Sequence, residues 1–287
     1  MPGTPGEPER RWRASVLALA VIFAWYASAR ILEILPTSIP QTAIVALDVL
    51  GALAFALVDG TRAYRLRGIL VFAGICIVVG NVAENLGVAT GFPFGRYSFV
   101  QLMGPKLWHV PVLLGLAYIG MAYVSWRVAG AILGPVSFAG ARVLAVPLLA
   151  SAVMTSWDLA QDPVWATVLH GWVWRDGGAW FGVPASNYLG WYGTVFVIYL
   201  LFAVYLRKSG DAAGANGSAG PALLFYAVCA AGNVVQILPR QAVAVVADPT
   251  GKLWQVADIL HGSALVSIFV MGGFAVLGWM RRAGRGL

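Results

Sequence analysis

The sequence predicts an all-α, polytopic integral membrane helix bundle, and three observations lead there. Of its 287 residues, 60% are hydrophobic and 11% charged, against about 45–50% and about 25% in soluble domains. Apolar runs long enough to span a hydrocarbon layer recur along the whole chain. Basic residues gather on one side of those runs. At about 20 residues per span, a chain of mean hydropathy +0.78 has room for about eight spans and little else.

In order, the predicted spans cover about 14 to 35, 41 to 61, 68 to 90, 107 to 129, 141 to 160, 188 to 207, 221 to 240 and 257 to 280, each a predominantly apolar run of membrane-spanning length. The breaks carry loop residues: Pro36 to Pro40, Arg62 to Arg67, Gly91 to Lys106, Gly134 to Gly140, Gln161 to Asn187, Gly210 to Pro221 and Gln241 to Gln255. The first run is a full span with no small-residue cleavage site, so it is expected to be a retained helix. The chain reads as one integral membrane domain, 1–287. The glycine-rich stretch from Gly210 to Gly220 can act as a flexible linker between a six-span core, 14–207, and a terminal helix pair, 221–280. Cys76 and Cys229 lie in apolar runs and are expected to be packing residues.

Net charge is +7, with 19 Lys and Arg against 12 Asp and Glu. Their placing matters more than their sum. On the N-terminal side of the predicted spans stand Arg10, Arg11, Arg13, Arg62, Arg65, Arg67, Arg127, Arg142, Arg207, Lys208, Arg281, Arg282 and Arg285. The opposite side has Arg96, Lys106, Arg175, Arg240 and Lys252, and Arg30 lies within the first span. Cytoplasmic loops are the ones enriched in Lys and Arg. Both termini are therefore expected in the cytoplasm, with the basic balance explained by the membrane and not by nucleic acid.

With directions assigned, the polar residues of the spans collect at the outer end: Arg30, Glu33, Asp48, Asn81, Glu84, Asn85, His109, Asp158, Asn187, Asn233, Gln236, Asp258 and His261. Such residues cost at least about 2.5–3.5 kcal/mol each at a helix centre and usually face a cavity or a partner. Arg30 with Glu33 reads most simply as an interfacial pair, and Asp59 as a helix end beside Gly60. Glu84 and Asp158 differ, because each lies in a segment dense with unusual residues and lacks a neighbouring cation in sequence. Asp158 and Asp162 are four apart, on one face if the helix persists to Pro163; otherwise Asp162 is a turn or cap residue. Trp172 and Trp174 read as an interfacial aromatic belt, in a stretch expected to lie over the outer mouth, while Trp157 and Trp191 are better placed to line a pocket.

Several chemistries are excluded by count. Three histidines are too few for a His-rich di-iron centre, no Walker A or dinucleotide glycine fingerprint is present, and the only lysines, Lys106, Lys208 and Lys252, lie in loops. What remains is acids, amides and aromatics around an apolar chamber. A carboxyl group in apolar surroundings resists ionisation and can protonate an alkene. Aromatic faces then stabilise the tertiary cation. Water quenches it to an alcohol, or a second double bond closes a ring.

At these residues the sequence resembles the carotenoid biosynthesis membrane family that includes bisanhydrobacterioruberin hydratase and the bacterial gamma-carotene hydratases. The likeness rests on Glu84 to Tyr97, with its Phe92-Pro-Phe-Gly-Arg-Tyr97 loop, on Trp157-Asp-Leu-Ala-Gln-Asp-Pro163, and on Phe181-Gly-Val-Pro-Ala-Ser-Asn-Tyr-Leu-Gly-Trp191. It implies hydration of the terminal double bond of an acyclic carotenoid, an isoprenoid lipid drawn from the membrane, with no cofactor. The polar members are Glu84, Asp158, Asp162 and Asn187, and the aromatic ones Phe94, Tyr97, Trp157 and Trp191; Asn81 and His261 join them as substrate contacts from their outer position. Asp158 is the expected proton donor, with Glu84 or Asp162 orienting water. The alternatives are a carotenoid or terpene cyclase using the same cation and, from another class, a proton-coupled lipid or small-molecule transporter, which would need an inner polar path as well.

Overall fold

The computed structural model describes residues 7–134, 143–209, 218–238 and 244–284. The predicted Gly134–Gly140 break beyond Gly134, most of the Gly210–Gly220 linker, and Arg142, Arg240 and Arg285 lie outside the described residues. Helices dominate: α1 (Glu7–Leu32), α2 (Gln41–Thr90), α3 (Val112–Leu133), α4 (Ala145–Pro163), α5 (Ala185–Ser209), α6 (Gly220–Val235), α7 (Val256–Leu265) and α8 (Gly272–Ala283). A π-helical turn, Val266–Met271, joins α7 to α8, so Val256–Ala283 runs as one apolar segment.

Among the described residues, five helical segments are long and apolar enough to cross a membrane: Arg13–Leu32, Gln41–Thr90, Val112–Leu133, Ala185–Ser209 and Val256–Ala283. Large apolar side chains such as Val82, Leu189 and Phe269 stand more than 60% exposed, a surface suited to lipid tails. The chain is a multi-pass membrane protein.

The 50-residue α2 is two helices meeting at Arg65, whose φ of 58° and ψ of 169° leave the helical region. Its first half runs alongside α3: Gly120 lies against Ala52, Tyr123 bonds Asp59 and Trp126 bonds Tyr64. Its second half runs the other way past the same helix, with Phe72 at Tyr123 and Gly80 against Tyr118. The break expected over Arg62–Arg67 is thus a reversal at a single residue.

Other boundaries move for local reasons. The fourth span starts at Val112, not 107, because Lys106–Leu107 and Val110–Pro111 pair as an antiparallel hairpin, β2 and β3, turning through Trp108 at φ 56°. The seventh ends at Val235, not 240. Asp162 is neither turn nor cap. The helix passes through it to Pro163 and widens into a π-turn, Val164–Val168, a form that accommodates proline's missing N–H. Between α4 and α5 the chain contributes β4 (Trp172–Trp174), antiparallel to β1 (Tyr97–Phe99) with Tyr97 opposite Trp174 and Phe99 opposite Trp172. A hairpin of β5 (Val245–Ala247) and β6 (Leu253–Gln255) precedes α7.

The bundle core is aromatic: Phe55 stacks on Phe225 at 4.5 Å, and Phe72 meets Phe202 edge to face at 4.9 Å. Asp59, expected to be a helix end, is instead 3% exposed, 3.1 Å from Arg127 and bonded by Tyr123 at 2.7 Å. At the opposite end of α3 the ends of α1, α4 and α6 and the second half of α2 converge with the starts of α2, α3 and α5, and this convergence builds the site.

Candidate functional site

The converging helix ends surround a partly open chamber, about 900 Å³ of empty space with its open mouth included, lined by Glu84, Phe94, Tyr97, Trp157, Asp158, Asp162, Asn187 and Trp191 together with residues discussed below. Three carboxyl groups separated by up to 78 positions in sequence therefore share one chamber.

Each is positioned by its own element. Glu84, on the last turns of α2 and 3% exposed, accepts a hydrogen bond at Oε1 from the Tyr118 hydroxyl of α3, 2.7 Å, and at Oε2 from the Tyr97 hydroxyl. Asp158 and Asp162 project from one face of α4, as their four-residue spacing requires. The Asn187 amide, on the first turn of α5, donates to Asp158 Oδ2 at 3.1 Å and to Asp162 Oδ2 at 2.5 Å. Asp162 Oδ1 takes the Trp172 indole at 2.6 Å, with that of Trp174 at 3.5 Å. Asp158 Oδ1 has no hydrogen bond among the described residues, so within the Glu84–Asp158–Asp162 cluster it is the carboxyl oxygen left free.

The aromatic wall follows from backbone turns. α2 ends on Gly91, whose φ of 82° lets its N–H cap Gly87. The chain then returns so that Phe94 packs against Gly87 and Gly190, where any Cβ would collide with its ring. Phe94 carbonyl accepts from Ser186 Oγ at 2.8 Å, and Tyr97 reaches Glu84. Trp191 stacks on Tyr118 at 4.5 Å, nearly parallel, and meets Trp157 edge to face at 6.5 Å. The β1–β4 ribbon closes this side, held at its exposed edge by the Arg96–Asp176 ion pair. Hydrogen bonding to Arg96 keeps the Asp176 carboxyl below its ordinary range.

Two predicted contacts do not reach the chamber. Asn81 turns its amide back onto the Ile77 carbonyl of its own helix, 3.0 Å, and lies beside Gly115 of α3, outside the chamber lining. His261 is exposed, with Asp258 on the same outward face, since Val256, Ile259 and Leu260 take the buried one. The reading of Trp172 and Trp174 as an interfacial belt is also replaced, because both indoles point at Asp162. Their one-residue spacing, which on a strand puts both on one face, was the available signal. Tyr118 was missed, although a phenol inside an apolar span needs a partner. So was Gln161, three residues after Asp158.

Arg30, Asp48 and Gln161 also line the chamber. Arg30 pairs with Glu33 as expected, at 3.0 Å, but it is buried in the bundle, 4% exposed, and also has Asp48 at 3.7 Å. Its Nη2 and the Gln161 amide both donate to Asn233 Oδ1, at 2.7 and 2.6 Å. Among the described residues no group of three His, Cys, Asp or Glu side chains is arranged to hold a metal ion.

A multi-pass helical protein with an acid-bearing, aromatic-walled chamber among its helix ends is the class these observations define. The family model described as carotenoid biosynthesis protein matches residues 43–249, well over half of the chain, including Glu84, Asp158 and Asp162. The protein belongs to that family. No curated protein and no solved structure matches it.

Proposed function

We propose that the protein is a membrane carotenoid hydratase, adding water across the terminal double bond of an acyclic carotenoid without a cofactor. The observation that carries this reading is Asp158: a buried carboxyl group with one unpaired oxygen, bridged through Asn187 to Asp162, beside Trp157 and Trp191. Hydrogen-bond donors favour the ionised form of a carboxyl group. Glu84 and Asp162 are each held by several donors and Asp158 by one, so Asp158 is the group that carries the proton.

In the proposed reaction the Asp158 hydroxyl transfers its proton to the penultimate alkene carbon, leaving a tertiary cation and an Asp158 carboxylate. The faces of Trp157 and Trp191 and the charges of Glu84 and Asp162 stabilise that cation. A water oriented by Asp162 and Asn187 forms the new C–O bond and gives up a proton, which restores the Asp158 acid. Alkene and water become a tertiary alcohol, with no electrons exchanged. The substrate is neutral: Arg30 is the only basic residue lining the chamber among those described, and it is already paired with Glu33 and Asp48. That arrangement disfavours a prenyl diphosphate. We further take the chain as a single integral domain of eight crossings in a bacterial or archaeal cytoplasmic membrane, both termini cytoplasmic. The basic-residue distribution supports that orientation, which puts the chamber toward the outer side.

Expression in a bacterium that makes acyclic carotenoids, followed by mass analysis of its pigments, tests the reading. Gain of one water per modified end is expected. An isomer of unchanged mass and altered absorption would replace hydration by cyclisation, and unchanged pigment would overturn both.

A further inference from the structure

The chamber has two polar regions that share no hydrogen bond. One is the acid cluster. The other is a chain of buried groups, Gln161–Asn233–Arg30–Glu33–Gln236, joined by bonds of 2.6, 2.7, 3.0 and 2.9 Å. It runs from the chamber wall to the half-buried ends of α1 and α6, where Glu33 and Gln236 lie. Three buried polar atoms along it, Arg30 Nε, Gln161 Oε1 and Gln236 Oε1, and one beside it, Asp48 Oδ1, have no hydrogen-bond partner. Arg30 and Gln161 are themselves 4% and 5% exposed. Unpaired buried polar atoms clustered in this way call for an occupant. One guanidinium between two carboxylates leaves no spare positive charge for an anion. At Arg30, Asp48 and Gln161, which line the chamber, one free donor and two free acceptors suit a small neutral molecule that both donates and accepts, and water meets that need with two to four polar partners.

We infer that the Arg30–Asp48–Gln161 cluster is a water-binding site and, continued through Asn233, Glu33 and Gln236, the route by which water reaches the acid chamber. The inference rests on the hydratase reading for its purpose: a reaction that consumes water inside an apolar wall needs a supply separate from the opening that admits lipid. Gly232 belongs to the device, since a Cβ there would collide with Arg30 Nε; only glycine lets the guanidinium lie across α6.

A cation starved of water loses a proton from a neighbouring methyl group and yields an isomer of unchanged mass with a shifted double bond. The ratio of hydrated product to isomer therefore reports water supply whatever the amount of folded protein. In membranes, Gln161→Leu and Gln236→Leu are expected to shift that ratio toward isomer at least tenfold. An unchanged ratio in variants that still turn over would overturn the route. A second measurement, on the unmutated protein in bilayers, needs neither turnover nor variants. Radiolytic hydroxyl labelling should oxidise Met271, buried yet 3.9 Å from the Asn233 amide, at least tenfold faster than Met154, which is equally buried and lies off the route. Equal rates would overturn the water site even if hydration is confirmed. Fast Met271 labelling without any hydrated pigment would keep the site and sink the hydratase reading.

Discussion

At the scale of single residues, the assignment of roles among three carboxyl groups turns on their hydrogen bonds. Asp158→Asn keeps the shape and the Asn187 contact but removes the transferable proton. Because general acid catalysis contributes about 10²–10⁴-fold, hydration by this variant is expected to fall at least about 100-fold with folding retained, read as hydrated pigment per folded protein. Full activity would remove Asp158 from the role. Tyr118→Phe takes the donor from Glu84 Oε1. Hydrogen bonds to charged groups contribute about 1.5–3 kcal/mol, so turnover should drop by roughly tenfold or more with thermal stability in detergent only modestly lowered; unchanged turnover would show that Glu84 does not act on the cation. The acids themselves were legible in the sequence, because an ionisable residue in an apolar run stands out. Tyr118, Trp172 and Trp174 were not, because aromatic residues have ordinary uses in any membrane protein and only their partners distinguish them.

Single elements carry a different kind of information. The tight packing of Phe94 between α2 and α5 makes glycine a requirement at Gly190, where a Cβ would sit 2.8 Å from the Phe94 ring and 3.0 Å from the Pro93 carbonyl carbon. Overpacking of this kind costs about 1–3 kcal/mol. Gly190→Ala is expected to displace the 92–97 loop and so lower turnover more than it lowers the melting temperature. The β5–β6 hairpin makes a prediction about pH. Burial pushes the Asp248 carboxyl up, but hydrogen bonds from Thr250, Trp254 and the backbone N–H groups of Thr250 and Lys252 outweigh it and hold it below its ordinary range. A folded value below the unfolded one means stability that is complete above the unfolded value, about 3.9, and lost as pH falls through the folded one. Hydrogen-exchange protection of the Thr250 and Lys252 amides, corrected for intrinsic rates, should hold at about pH 5 and decline by about pH 3. Pattern reading located most spans yet misjudged their ends. A hairpin of two-residue strands, a reversal at one arginine and a helix that continues past proline have no periodic signature.

On the scale of the whole molecule, the buried Asp59–Arg127 pair ties α2 to α3 at the end away from the chamber, and Arg127 reaches on to the Ser218 carbonyl ahead of α6 at 3.1 Å. Removing one partner of a buried pair costs about 3–5 kcal/mol, because the other charge is left uncompensated. Asp59→Ala is therefore expected to lower the thermal unfolding midpoint in detergent far more than substitution of the exposed Asp176. Equal effects would mean that water or lipid headgroups already solvate Arg127. The pair also bears on the transport alternative, since the acid that an inner path would have used is locked into a structural contact.

The sequence by itself determined that this is a multi-pass helical membrane protein with Glu84, Asp158 and Asp162 as its notable acids. Hydrophobic run length and the cost of burying charge in lipid are local quantities, readable from one stretch of chain at a time. Only the tertiary structure decided that the three acids face one chamber, that Asn187 bridges two of them, that Arg30 lines the same space, and that Asn81 and His261 do not. Those facts depend on which face of each helix meets a neighbour. Glu84 and Asn81 share a helix and nearly a face, yet Glu84 meets the Tyr118 and Tyr97 hydroxyls while Asn81 bonds only a carbonyl of its own helix.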